Sequence, residues 1–403
     1  MAMSEQIQQC PVSHTDYRST TAPAGHYDLL DREREASRYH FSDTTERGFW
    51  MLTRYDDVLK GFQNPDTFTN DVTSALNPER GIDLLPQQLG GEEHARLRRV
   101  VNPYFSPAAV RRMEPFATAR CVELIEELRP LGRCDFVAEF AIRYPTDVFL
   151  DLLGLPTSDG AFFVPWVEDV FGGIFTGDAE RARSASANIT DYFDARVRER
   201  RRNPLDPAVD LVSRLVQARR GADEEPLTHD EILTVCLTLT MAGLDTTRSA
   251  LGYMFWHLAR HDDDRATLIG DPDAVPAAVE EFIRLYPLVI QAGREVSRPV
   301  ELDGLRLDAG EVVWLGIGSA NRDPRKFPEP GTFRLGRKGV NQHLGFGAGP
   351  HRCLGMHLAR VELAIVLREW HRRIPHYRIA SDAPLVERGS QLTLMSLPLE
   401  WDA

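Results

Sequence analysis

The sequence lacks several features that would assign it to common protein classes. No stretch approaches the apolar run that a membrane-spanning helix needs, and the first twenty residues contain neither the positive nor the apolar region of a secretory signal. The net charge of -13 argues against general binding of nucleic acids. We find no repeat of fixed period and no low-complexity block. We therefore expect a soluble, cytoplasmic protein.

Cysteine is scarce, and its five positions form no C-x-x-C pair. The pattern therefore suggests neither a structural zinc site nor a redox pair, and thiols stay reduced in the cytoplasm. Cys10, Cys121, Cys134 and Cys236 lie in ordinary surroundings, where cysteine behaves as a small buried hydrophobe. Cys353 lies in an unusual segment and is the candidate for chemistry.

What is present favours one mainly α-helical domain. Of the 403 residues, 42% are hydrophobic and 27% charged, as in ordinary globular enzymes. The longest predicted helix runs from Thr228 to about His261, behind a capping box of Thr228 and Glu231. Apolar periodicity and Gly/Pro punctuation predict the other segments: a strand at 49–53, helices at 55–62, 110–128, 189–202 and 354–373, short strands at 289–317, an ordered loop at 321–355 and a β-rich tail. We expect residues 1–25 to form a polar, partly disordered segment and residues 26–403 to form a single domain.

The segment around Cys353 has the composition of a ligand-binding loop. It reads FGAGPHRCLG from Phe346 to Gly355. Glycines at 347 and 349 permit positive φ and a close approach of the backbone to a flat ligand. A cysteine at the start of a helix is stabilised as a thiolate by backbone N–H groups and the helix dipole. Cys353 is then a nucleophile or a metal ligand, and an inert buried cysteine is the alternative.

The spacing Phe-x-x-Gly-x-x-x-Cys-x-Gly resembles the haem-ligand loop of the cytochromes P450. The resemblance implies the cytochrome P450 fold, which is mainly α with a small β-rich region. It also implies haem b (iron protoporphyrin IX), with the iron held by the thiolate of Cys353. Phe346 and Gly243 are expected to lie against this cofactor.

A second motif, Ala-Gly-Leu-Asp-Thr-Thr from Ala242 to Thr247, lies in the longest predicted helix. In isolation it indicates a kink or cap, because a mid-helix glycine costs about 1 kcal/mol and a threonine hydroxyl can bond back to the preceding turn. The run resembles the acid–alcohol pair of the P450 family. The resemblance implies that Thr246 holds oxygen and ordered water, that Asp245 gates protons, and that O2 is the oxidant.

The carboxylates of a buried haem require cations. Four residues match the positions that bind haem propionates in the family: His94, Arg98, Arg294 and His351. Arg96 is expected to point away from the cofactor.

Glu281 and Arg284 are placed at i and i+3, a spacing that brings opposite charges together on one helical face. Most such pairs are solvated and contribute little. These two resemble the buried Glu-x-x-Arg pair of the family, which binds an arginine in the loop before the cysteine. Arg334 or Arg337 is the candidate partner, unless the partner is absent.

The resemblance implies a haem-thiolate monooxygenase, an oxidoreductase that inserts one oxygen atom from O2 into a hydrophobic organic substrate of moderate size. Electrons would come from a separate ferredoxin and its NAD(P)H-dependent reductase. A candidate docking patch for an acidic partner consists of Arg111, Arg112, Lys338, Arg352 and Arg360.

Three alternatives remain open. A peroxide-driven haem-thiolate peroxygenase would not need the intact Asp245–Thr246 pair, and neither would a non-catalytic haem-thiolate sensor. A cysteine hydrolase would need a base near Cys353. His351 is close in sequence, but nothing supplies the oxyanion site and the orienting group.

The predicted substrate pocket is largely apolar, with walls from residues 72–89, 162–175, 237–242, 288–291 and 391–394. Five aromatic residues are expected near its lid: Phe162, Phe163, Trp166, Phe171 and Phe175. Arg80 and Gln291 are candidate anchors for a polar group of the substrate.

Overall fold

The fold was analysed in a computed structural model that describes residues 10–78, 82–219, 225–380 and 384–402. The helices are α1 Gly25–Ala36, α2 Tyr55–Gln63, α3 Gly91–Val101, α4 Pro107–Leu128, α5 Arg143–Leu153, α6 Gly160–Thr176, α7 Ala179–Arg202, α8 Leu211–Gln217, α9 His229–Leu258, α10 Asp262–Gly270, α11 Val275–Leu285, α12 Ile317–Ala320 and α13 Met356–Arg373. The strands are β1 Val12–Ser13, β2 Thr20–Thr21, β3 Tyr39–Ser42, β4 Phe49–Leu52, β5 Phe68–Thr69, β6 Arg133–Asp135, β7 Ala292–Val296, β8 Val300–Leu302, β9 Leu305–Leu307, β10 Val312–Leu315, β11 Arg378–Ile379, β12 Glu387–Arg388, β13 Thr393–Leu394 and β14 Pro398–Glu400. The protein is therefore mainly α with small β-sheets, as predicted.

Helix α9 runs through the interior of the molecule. Its predicted capping box is confirmed, because the Thr228 hydroxyl accepts from the Glu231 N–H at 3.2 Å and the Glu231 carboxylate accepts from the Thr228 N–H at 2.7 Å. Most of its residues are buried, on all sides of the helix. A helix that is apolar all round is stable only inside a large core.

The larger sheet among the described residues has the strand order β1-β3-β4-β10-β7-β5. It mixes parallel and antiparallel pairs, with β10 parallel to β4 and antiparallel to β7. Strand β7 carries Arg294, which faces Val313 of β10 in the register. The smaller sheets have the orders β11-β14-β6, β13-β12-β2 and β8-β9.

Residues 10–25 differ from the expectation of a partly disordered segment. Strand β1 pairs with β3, β2 pairs with β12, and Tyr17 between them is fully buried. The buried carboxylate of Glu387 accepts hydrogen bonds from the Ala24 N–H at 2.8 Å and the Thr21 hydroxyl at 3.0 Å. Two polar groups of this segment thus find their partner in a residue far along the chain. Residues 1–9 lie outside the described residues.

A continuous cluster of buried side chains extends from Tyr17 to Trp401, which is the kind of core that a single domain needs. The single domain over 26–403 stays a prediction. Among the described helices, none combines the length and the apolar character required to cross a bilayer.

Candidate active site

The loop before α13 is held in a fixed shape by its own backbone. The N–H of Cys353 donates to the Phe346 carbonyl at 2.9 Å, and the N–H of Arg352 donates to the Gly349 carbonyl at 3.2 Å. Gly349 has a φ of +68°, and a Cβ there would lie 2.3 Å from the Phe62 carbonyl oxygen. Only glycine fits such a position, because both the conformation and the space exclude a side chain.

The thiol of Cys353 lies in a recess. Its side chain is exposed, yet the surrounding protein raises the pKa of the thiol above its usual value. The N–H of Gly355 and the charges of Arg98, Arg360 and Arg352 oppose this rise. Helix α13 begins three residues after Cys353, slightly later than predicted, so the nearest helical donor is the N–H of its N-cap residue. The sulfur is therefore accessible and faces a positively charged wall.

Four basic side chains lie together beside this loop: His94, Arg98, Arg294 and His351. We call them the cation cluster. The rings of His94 and His351 stack with centroids 3.9 Å apart, and Arg98 Nη2 donates to the Arg352 carbonyl at 3.1 Å. Arg294 is 5% exposed and lies over the ring of Phe62 at 5.3 Å. The structure thus brings together these four residues, which are far apart in the sequence, and their role as propionate ligands stays a prediction.

The cation cluster has no internal counter-charge among the described residues. Burial lowers the pKa of Arg294 to about 10, and its guanidinium donates to the Gly293 carbonyl at 2.6 Å. Burial, reinforced by the neighbouring positive groups, lowers the pKa of His94 to about 4 and that of His351 to about 3. Near pH 7 the charged members are therefore Arg98 and Arg294, and no carboxylate of the described chain pairs with either of them. Buried cations are normally paired, so the cluster is suited to an anionic ligand.

A second buried cluster joins one carboxylate to two guanidiniums by hydrogen bonds within the protein. Glu281 accepts from Arg284 Nε and Nη2 at 2.8 Å each, and from Arg337 Nε at 2.8 Å. Both arginines also donate to loop carbonyls, Arg284 to Pro330 at 2.8 Å and Arg337 to Thr332 at 2.7 Å. We call Glu281, Arg284 and Arg337 the paired cluster.

The paired cluster shows which of the two candidate arginines bonds Glu281 through its side chain. Arg337 is the side-chain partner of Glu281, whereas Arg334 contributes its backbone N–H at 3.0 Å and turns its side chain outward to Glu329. The cluster binds the loop of residues 321–337 to α11 and thereby braces the approach to Cys353.

The acid and the alcohol on α9 have different surroundings. Thr246 donates its hydroxyl to the Ala242 carbonyl at 2.7 Å and is half-buried, next to the exposed Ala242 one turn away. Asp245 is 3% exposed and accepts from Gln391 Nε2 at 2.7 Å. Arg248 and Arg388 each lie 3.5 Å from its carboxylate.

Two predicted cofactor contacts have other neighbours as well. A Cβ at Gly243 would lie 2.8 Å from Phe149 Cδ2, so glycine is needed there for the packing of α9 against α5. Phe346 lies under the guanidinium of Arg360 at 4.6 Å. Their contact with a cofactor stays a prediction. Arg96 lies near Glu92, with Nε 3.6 Å from Oε1.

Sequence reasoning missed the residues that hold Asp245. Arg388 and Gln391 come from the C-terminal tail, 143 and 146 residues away in the chain, and no local pattern links them to α9. It also missed Glu362, a 3% exposed acid of α13 whose pKa is raised by burial to about 8 despite a hydrogen bond with Thr247. Glu362 stands between Leu358 and Ile365 on the buried face of α13, a position where helical periodicity could have revealed it.

The predicted pocket residues do not all lie on one wall. Phe162 is 54% exposed, whereas Phe163 is fully buried against Phe193 of α7 at 5.8 Å. Successive helical residues point about 100° apart, so neighbours in α6 face different environments. Trp166 and Phe171 are partly buried against the core, while Arg80 and the side chain of Phe175 lie outside what the structure describes.

Gln291 is not a free anchor for a substrate. It is 7% exposed, donates to Ser74 Oγ at 2.8 Å and accepts from the Ala75 N–H at 3.3 Å. Both ends of its amide are used to hold the segment at Ser74 against the start of β7. The amide keeps a second N–H and a second acceptor position, so a polar substrate contact at this residue stays a prediction.

Comparison with known proteins decides the family. The family model described as cytochrome P450 matches residues 162–269 and 273–373. The chain is 33% identical over 387 residues to the mycinamicin IV hydroxylase/epoxidase of Micromonospora griseorubida, covering 94% of each chain. It is also 34% identical over 371 residues to a methyl-branched lipid omega-hydroxylase of Mycobacterium tuberculosis, covering 88% of this chain and 84% of the other. The chain belongs to the cytochrome P450 family.

The solved P450 structures agree with this assignment. The crystal structure of CYP101J2 superposes with a TM-score of 0.87 at 30% identity and covers both chains completely. The protein is thus an oxidoreductase of the P450 monooxygenase family, which implies a haem-thiolate cofactor. The residues present fit that group, because an accessible cysteine on a glycine-shaped loop lies beside buried cations that lack a carboxylate partner.

Proposed function

We propose that this P450 binds haem b through Cys353 and inserts one oxygen atom from O2 into a hydrophobic organic molecule of moderate size. The observation that carries the proposal is the cation cluster beside the cysteine loop. Its four basic groups have no carboxylate partner in the described chain, and the two propionates of haem b would supply that missing charge. Once bound, the haem supplies the redox-active iron at which O2 is activated.

The chain's own residues would bind and orient this group. Cys353 would contribute a thiolate ligand, aided by the Gly355 N–H and by the charges of Arg98, Arg352 and Arg360. Arg294, Arg98, His94 and His351 would hold the propionates, with Arg294 kept in place by its stacking on Phe62.

Proton transfer would involve two residues of α9, Asp245 and Thr246. Asp245 is the candidate donor, and Arg248 connects it to the partly exposed Glu168 at 3.1 Å. The Thr246 hydroxyl, which donates to the Ala242 carbonyl, could turn to hold a water or an oxygen group instead. The Asp245 carboxylate, held by a neutral amide and flanked by two guanidiniums, would be positioned to relay a proton between the Glu168 side and Thr246.

The substrate class rests on the family and on the relatives. The mycobacterial relative is named as a hydroxylase of a methyl-branched lipid and the Micromonospora relative as a hydroxylase/epoxidase of mycinamicin IV. We propose hydroxylation or a related oxidation of a comparably hydrophobic molecule. Electrons would come from a ferredoxin and its NAD(P)H-dependent reductase, docking at the exposed residues Arg111, Arg112, Lys338 and Arg352. Arg360, the fifth candidate, is already paired with Glu280.

The deciding experiment is the absorption spectrum of the reduced, carbon-monoxide-bound protein. We expect the strongly red-shifted Soret band of thiolate-ligated haem in the wild type and in Cys10→Ala, and its loss in Cys353→Ala. Retention of the band in Cys353→Ala would refute the assignment of the ligand. Turnover is then tested with Thr246→Ala, which we expect to consume reductant but release peroxide in place of product. Unchanged coupling in that variant would contradict the role of Thr246.

A further inference from the structure

A compact group of ligating side chains lies at the corner between α9 and α10, outside the candidate active site. His257 is in the last turn of α9, His261 immediately precedes α10, and Asp264 is in the first turn of α10. One ligand atom from each lies within 4.8 Å of the other two. Two imidazoles and a carboxylate form the ligand set of several zinc sites, with water in the fourth position.

The His257 ring is fixed in an orientation that suits a ligand. Its Nδ1 is 2.8 Å from the Tyr286 hydroxyl and its Nε2 is 2.9 Å from Asp264 Oδ2. Phe282 and Phe333 pack against the ring with centroids 5.3 and 5.1 Å away. Histidine ligands characteristically use one nitrogen for the metal and the other for a hydrogen bond that sets the ring, and Tyr286 provides that second partner.

His261 supplies an observation that a simple His–Asp hydrogen bond does not explain. Its ring lies 4.2 Å from that of His257, centroid to centroid, and its ring nitrogens make no hydrogen bond within the described part of the chain. The turn between α9 and α10 brings the exposed imidazole of His261 close to both His257 and Asp264. Ligand atoms around a tetrahedral zinc are about 3.3 Å apart, so small side-chain rotations would close the site.

We propose that His257, His261 and Asp264 bind a divalent transition metal of the zinc class. The imidazoles select such a metal over Mg²⁺ or Ca²⁺, which prefer oxygen ligands. Asp262 and Asp263 in the same turn add negative charge, while Arg260, stacked on Trp256 at 4.8 Å, opposes it. The bound ion would join the end of α9 to α10 and, through Tyr286 and Phe333, to the end of α11 and the loop that the paired cluster holds.

The test is calorimetric titration of the chelator-treated, haem-loaded protein with Zn²⁺, with Mg²⁺ as the comparison ion. We expect one Zn²⁺ per chain, no saturable binding of Mg²⁺, and a zinc-dependent rise in Tm, because an ion that binds the native state stabilises it. His261→Ala and Asp264→Asn alter partly or fully exposed residues, so both variants should fold, and each should weaken zinc binding by about tenfold or more.

The matched control is His14→Ala. His14 is an exposed histidine that also faces a carboxylate, with Nδ1 2.9 Å from Asp43, and zinc binding should be unchanged in this variant. The proposal is overturned if the wild type shows no one-to-one binding, if His261→Ala binds as tightly as the wild type, or if bound zinc leaves Tm unchanged. None of these outcomes affects the haem assignment, which is read from the carbon monoxide spectrum.

Discussion

The two charge clusters beside the cysteine loop both contain buried arginine. In one cluster the arginines bond a carboxylate of the protein, and in the other they do not. In the paired cluster, the single carboxylate of Glu281 accepts hydrogen bonds from both Arg284 and Arg337, and loop carbonyls take up further donors of the two guanidiniums. In the cation cluster, Arg294 and its neighbours have no carboxylate within the described chain. A satisfied buried network holds the fold together, whereas an unsatisfied one marks a place where another molecule completes the structure.

Asp245 is an intermediate case. Its carboxylate accepts a short hydrogen bond from the neutral amide of Gln391 at 2.7 Å and forms longer ion pairs with Arg248 and Arg388, each at 3.5 Å. One short hydrogen bond and two longer ion pairs therefore hold the carboxylate, an arrangement that suits the proton exchange that we propose for it. Three levels of charge pairing thus accompany the three roles that we propose: support, cofactor binding and proton transfer.

The largest effect is expected from Glu281→Gln. The change leaves two buried guanidiniums without a counter-charge, and breaking a buried pair in this way costs about 3–5 kcal/mol. Thermal and urea denaturation of the holoenzyme should show the loss. The exposed pair of Glu329 and Arg334 provides the control, since Glu329→Gln should cost less than about 1 kcal/mol. Equal losses in the two variants would remove the distinction between a supporting cluster and surface charge.

Arg294→Gln should show that the two clusters serve different purposes, stability in one and haem retention in the other. Removing a cation that lacks an internal partner should lower Tm much less than Glu281→Gln does, yet it should speed haem loss. Truncation of one member of a buried charge pair costs about 3 kcal/mol, or roughly 150-fold in rate of release. Transfer of haem to an apoglobin acceptor measures that rate. Arg47→Gln, on an exposed ion pair with Glu295, should release haem at the wild-type rate. A haem-loss rate unchanged in Arg294→Gln would contradict the propionate assignment.

Asp245→Asn should reduce product formation about 100-fold while the carbon monoxide spectrum stays intact, because a positioned acid–base group contributes at least that factor. A larger solvent deuterium isotope effect on turnover would identify the slowed step as proton transfer. Gln391→Ala should lower the rate by a smaller factor, since Asp245 remains present but loses its closest donor. Full activity in Asp245→Asn would contradict the proposal that Asp245 takes part in proton transfer.

The smallest effect concerns acid stability. Burial would raise the pKa of Glu280, but hydrogen bonds from His343 and Arg360 outweigh it and lower that pKa from 4.5 to about 2. The stabilisation is therefore complete above pH 4.5 and is lost as the pH falls toward 2. The difference in free energy of unfolding between wild type and Glu280→Gln, roughly 1.5 kcal/mol at pH 6, should shrink steadily below pH 4.5. A difference that is independent of pH would show that Glu280 acts through packing alone.

Local patterns in the sequence predicted much of the framework. The capping box fixed the start of α9, and the i, i+3 spacing of Glu281 and Arg284 placed both charges on one face of α11. The loop around Cys353 was recognisable because positive φ and close contact with Phe62 require glycine at particular positions.

Contacts between distant segments were beyond the reach of such patterns. Strands β1 and β2 are two residues long, too short for alternation to appear. Strand β1 depends on pairing with β3, and β2 depends on β12 and Glu387, which lie hundreds of residues away in the chain. The same holds for Gln391 at Asp245. Residue type alone also did not reveal the burial of Phe163 or the partners of Gln291, because it does not show which way a side chain faces.

The position of Gln391 constrains how this enzyme can change its specificity. The tail segment that carries it pairs with the segment at Leu288 and Val289, and both were expected to wall the substrate pocket. A mutational library aimed at new substrates would naturally vary residue 391. Each replacement would also alter the closest hydrogen-bond donor to Asp245. Selection at this residue should therefore favour glutamine or another neutral donor, and new specificities should evolve more readily at Leu392 or Leu394, which leave that bond in place.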